Sequence, residues 1–70
     1  PMKQFNSNDL LVDDVVLYTP CPILTRIVKK ISARSIFFHD NTTLSRAGFD
    51  ISVKNGKFEI TRNGVVIYPD

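Results

Sequence analysis

The chain has 70 residues, with nine Lys and Arg against seven Asp and Glu, a net charge of +2, one cysteine and one histidine. A lone Cys21 excludes an internal disulfide, and Cys21 with His39 cannot complete a zinc tetrahedron. The charge is too small for the concentrated field of a strong DNA binder, and no apolar run approaches the ~18 residues of a membrane-spanning helix. A domain this short buries only about 60% of the surface its unfolded chain exposes, so without a staple it leans on a partner or on self-association. A hydrophobic content of 43% predicts a folded domain spanning residues 1–70. Pro1, preceding Met2, reads as a remnant of cleavage. The single thiol and the lack of a basic-then-apolar leader predict a cytoplasmic protein.

In chain order, "LLVDDVVLYTP" predicts a turn at Asp13-Asp14 and a strand over Val15–Tyr18, ended by Pro20 and Pro22. The stretch 23–33 carries two patterns. Leu24, Ile27, Val28 and Ile31 have helical spacing, whereas Ile23, Thr25, Ile27, Lys29 and Ile31 alternate as a strand does. The Ile, Val and Thr content favours strands at about 24–31 and 36–39, joined by a turn at Ala33-Arg34. That hairpin sets Ile31 opposite Ile36, Lys30 opposite Phe37 and Val28 opposite His39. Ile27, Ile31, Ile36 and Phe38 then face inward. Residues 40–48 read as a loop with one helical turn at Thr43–Ala47.

The last third, "FDISVKNGKFEITRNGVVIYP", holds two Asn-Gly pairs between alternating apolar and polar residues. Asn-Gly is the preferred pair of a type I′ hairpin turn, so a three-stranded meander is predicted. In that register Ile51, Ile60 and Ile67 form one core row, and Phe58 faces Pro69.

Five to six short antiparallel strands in one small domain curl into a barrel to remove their edges. The run "LLVDDVVLY" followed by "TRIVKKISARSIFF" resembles the opening of small SH3-like barrels, with Asp13 standing where that pattern has glycine. The texture is similar to short barrel proteins encoded by bacteriophages. The resemblance, over about residues 10–39, implies a binding module for proteins or nucleic acids rather than an enzyme.

The residues agree with that expectation. Cys21 and His39 are the one thiol–imidazole pair available, and nothing in the spacing joins them. Asp13-Asp14 suits a turn better than a metal site. No phosphate-binding glycine loop is present, and no cofactor or metal is expected. Two surfaces remain. Arg26, Lys30, Phe37 and His39 would share an outer hairpin face, combining cations with rings that can stack on bases. Tyr18, Val66 and Tyr68 would expose aromatic and branched side chains to a protein. The protein-binding reading leads, as an inhibitor or adaptor of the phage type; nucleic acid is the alternative.

Overall fold

The computed structural model describes residues 4–69. Pro1, the suggested cleavage remnant, lies outside them. Six strands are formed: β1 (Val15–Tyr18), β2 (Thr25–Ile31), β3 (Ser35–Phe38), β4 (Thr43–Ser45), β5 (Phe58–Arg62) and β6 (Val65–Tyr68). One helix, α1 (Arg46–Lys54), separates β4 from β5. All strands are antiparallel to their neighbours in one sheet of order β4-β3-β2-β1-β5-β6. The protein is mostly β. Because α1 packs on both β4 and β5, which lie toward opposite ends of that order, the sheet curls around the core. The molecule measures 26 × 22 × 21 Å, close to isotropic.

The β2–β3 hairpin forms with Ile31 opposite Ile36 and Lys30 opposite Phe37. Beyond Lys30 the register shifts, and Val28 meets Phe38 instead of His39. Lys29 is the extra residue of a β-bulge. A bulge moves every residue beyond it to the opposite face. Val28 is therefore fully buried, while Ile27, expected inward, is 44% exposed.

The expected three-stranded meander is replaced by α1 and a two-stranded hairpin. The helix begins at Ser45, whose side chain accepts the Gly48 N–H at 3.0 Å. It buries Phe49 and Val53, four residues apart on one face. It ends at Asn55-Gly56 in a Schellman cap: Gly56 N–H donates to Val53 O at 3.0 Å and Lys57 N–H to Ser52 O at 2.9 Å. Asn55 keeps φ −86°, and only Gly56 is left-handed, at 72°. Ile51, assigned above to the core row, is 63% exposed on this helix. Asn63-Gly64, by contrast, has φ of 52° and 78°, both positive as a type I′ turn requires. There β5 and β6 pair, but with a second bulge: Ile60 opposes Tyr68 rather than Ile67.

The N-terminal arm completes the core. Phe5 and Leu10 are buried, and the Phe5 ring packs edge-on to Phe49 at 6.3 Å and against Tyr68 at 5.6 Å. Arg46 straps the arm down, donating from Nε to Ser7 Oγ, from Nη1 to Ser32 O and from Nη2 to Asn8 Oδ1. The turn at Asp13-Asp14 divides its two carboxylates. Asp13 takes φ 75° at the position where the resemblance has glycine. Asp14 points inward and is 1% exposed, accepting from the Leu11 N–H and from Arg62.

Candidate functional site

The outer face of the sheet follows from the register. Val16 and Ile60 are fully buried, so their neighbours Val15 and Thr61 point outward. Val15 opposes both Ile27 and Thr61, and Thr61 opposes Val66. The His39 N–H donates to Ile27 O at 3.0 Å, placing His39 at the end of this row. One stripe thus crosses four strands, through Ile27, Val15, Thr61 and Val66, with His39 at its end just past β3. Leu17, between Thr25 and Glu59, starts a parallel row on the same face. Ile27 and Val66 are exposed, and Val15 and Leu17 are half-buried. His39 and Glu59 are the titratable groups of these two rows.

The expected basic face is divided. Lys30 and Phe37 stay together outside, with Nζ 5.6 Å from the ring centroid, and His39 lies two residues further on. Arg26 does not join them. It opposes Val16 on the inner side, because the Lys29 bulge reverses the facing of every residue before it. Its guanidinium lies 4.3 Å over the Phe38 ring, and Nη1 donates to Thr42 Oγ1 at 3.2 Å. Asp40 accepts from the N–H and the hydroxyl of Thr42. The Thr42 hydroxyl, then its N–H, and to a smaller degree the charge of Arg26 hold the Asp40 carboxyl below its ordinary value.

The three protein-binding candidates are also dispersed. Val66 lies on the outer stripe. Tyr68 was expected beside it, but the second bulge turns it inward, opposite Ile60 and against Phe5. Tyr18 is half-buried, edge-on to Phe58 at 5.9 Å. It lines a cavity of about 320 Å³ that Leu24, Arg26, Leu44 and Phe58 also wall, with Asp40 and Thr42 beside Arg26. Neither this cavity nor the Ile27-to-Val66 stripe was visible in the sequence, since both depend on bulges that alternation alone does not reveal.

Among the described residues no group of three His, Cys, Asp or Glu is placed to hold a metal ion, and no helix is long and apolar enough to cross a membrane. The fold and these surfaces define a small, mostly β domain with a largely apolar outer sheet face and a cavity lined by Arg26. Compared with known proteins, the chain matches no family model, no curated protein and no solved structure.

Proposed function

We propose that this is a non-catalytic binding module that docks a protein on the outer face of its sheet, in the manner of the SH3-like inhibitors and adaptors that bacteriophages encode. The observation that carries this reading is the stripe from Ile27 to Val66. In a domain with little interior, branched side chains on both sides of β1 stay in water, and no Lys or Arg interrupts them. Apolar surface of this kind, rimmed by His39 and Glu59, matches the anatomy of an interface core and its polar rim. Cys21, a free thiol, suits a reducing compartment.

The Lys30–Phe37 pair, with Lys29 beside it, supports nucleic acid as a second reading. Three residues make a small footprint, and Arg26 is withdrawn from it.

A pull-down from cytosolic extract, with and without nuclease, tests the two readings on the wild type, Ile27→Lys/Val66→Lys and Lys30→Ala/Phe37→Ala. A protein that survives nuclease, and is lost at least tenfold with the first variant while melting is unchanged, fits the leading reading. Sedimentation of the same set shows whether that protein is a second copy. Loss of the partner to nuclease, or to the Lys30/Phe37 variant alone, overturns the leading reading in favour of nucleic acid.

A further inference from the structure

We propose that the Arg26 cavity is a binding site for a small monocarboxylate with an apolar body, separate from the outer face. Strand alternation places Arg26 in the row of Val16 and Ile60, whose side chains are fully buried. A guanidinium in such a row is retained when its donors are satisfied. The three half-buried arginines differ on this point. Arg46 directs Nε and both Nη atoms to oxygens. Arg62 directs Nε and Nη2 to the two Asp14 oxygens at 2.8 Å each. Arg26 uses Nη1 on Thr42, but its Nε is buried without a partner, and Nη2 makes no hydrogen bond to a described residue. The guanidinium, lying over the Phe38 ring, thus closes its Nε off from solvent and keeps at Nη2 the donors that no described residue answers.

The surroundings restrict the ligand further. Tyr18, Leu24, Leu44 and Phe58 give the cavity apolar walls that suit an aliphatic or aromatic body. Its volume of about 320 Å³ lies at the low end of the roughly 300–1,000 Å³ of ligand sites, which limits the occupant to a small molecule or one terminal residue of a chain. Asp40 lines the same cavity beside Arg26 and offsets part of its charge. A monoanion at Nη2 meets less repulsion from that carboxylate than a dianionic phosphate does.

The test is a two-dimensional NMR titration of the wild-type protein with 3-phenylpropanoate and 4-methylpentanoate. The matched amide 3-phenylpropanamide and inorganic phosphate serve as controls. Saturable shifts at Thr42, Leu44 and Phe58, at least tenfold weaker for the amide and for phosphate, are expected. Arg26→Gln should weaken binding at least tenfold, and Ile27→Lys/Val66→Lys should leave it unchanged, which separates this site from the proposed protein-binding face. An acetylated dipeptide ending in leucine, with free or amidated terminus, distinguishes the two sources. Tighter binding of the free-terminus peptide than of the small acids assigns the site to a chain end, and the reverse assigns it to a free acid. If Arg26→Gln does not fold, the wild-type acid-against-amide comparison still decides. Equal binding of acid and amide, phosphate binding as tight as carboxylate, or no saturable shift at the cavity overturns the proposal.

Discussion

Asp14 is a carboxylate withdrawn from water, and Arg62 is what makes that position tolerable. Its Nε and Nη2 hold both carboxylate oxygens, while Nη2 also reaches Asp9 O at 2.9 Å. The same contact keeps the Arg62 guanidinium more firmly protonated than usual, through the Asp14 hydrogen bonds. Arg62→Leu strands a buried acceptor, so the unfolding free energy should fall by about 3 kcal/mol. Denaturant unfolding measures this, and a loss under about 1 kcal/mol would show the pair to be a surface ornament. Asp40 is an exposed counterpart. Its folded pKa is depressed, so the contribution it makes is complete above the unfolded value near 3.8 and disappears as pH falls through the lower folded value. The Thr42 hydroxyl is the main cause, so Thr42→Val should move the Asp40 midpoint up toward 3.8 in an NMR titration. A midpoint that stays put assigns the depression to the Thr42 N–H and Arg26 instead.

Two identical dipeptides perform different work at the level of elements. Asn55 sits in ordinary right-handed territory as a helix cap, while Asn63 is left-handed in a hairpin turn. Asn55→Ala should therefore change stability by less than about 0.5 kcal/mol, whereas Asn63→Ala should cost about 1 kcal/mol. Equal losses in thermal unfolding would contradict the assignment of the first pair to the helix. The same pair shows how much of the fold was legible. Val15–Tyr18, the β2–β3 hairpin and the Asn63-Gly64 turn follow from alternation and turn chemistry, which are local. Helix α1 does not, because Phe49, Ile51 and Val53 also alternate as a strand does, and strand alternation matched the flanking Asn-Gly. The signals that favour helix were present in Ser45 as a cap and in the Phe49–Val53 spacing. The bulges at Lys29 and Ile67 left no trace in residue type. Each moved a predicted site residue, Arg26 and Tyr68, from the surface to the inside. Thr42 and Asp40 became neighbours of Arg26 through tertiary pairing, which one sequence does not display.

For the molecule as a whole, the core depends on its arm. Phe5 fills the space between α1 and β6, and no disulfide is available to compensate for its loss. Phe5→Ala should lower the unfolding free energy by about 3 kcal/mol. That is a large part of the ~5 kcal/mol at the lower limit of ordinary domains, and it should drop the melting temperature by more than 10 °C. Calorimetry that finds a shift of only a few degrees would mean the arm is dispensable. Phe5 is made well before Tyr68, the ring it packs against. At about 5–20 residues per second, a ribosome leaves Phe5 without that neighbour for several seconds. β1 likewise waits for β5. The arm therefore docks only after β6 has been made, and slower translation of the stretch between them prolongs the time in which chaperones and proteases can reach it.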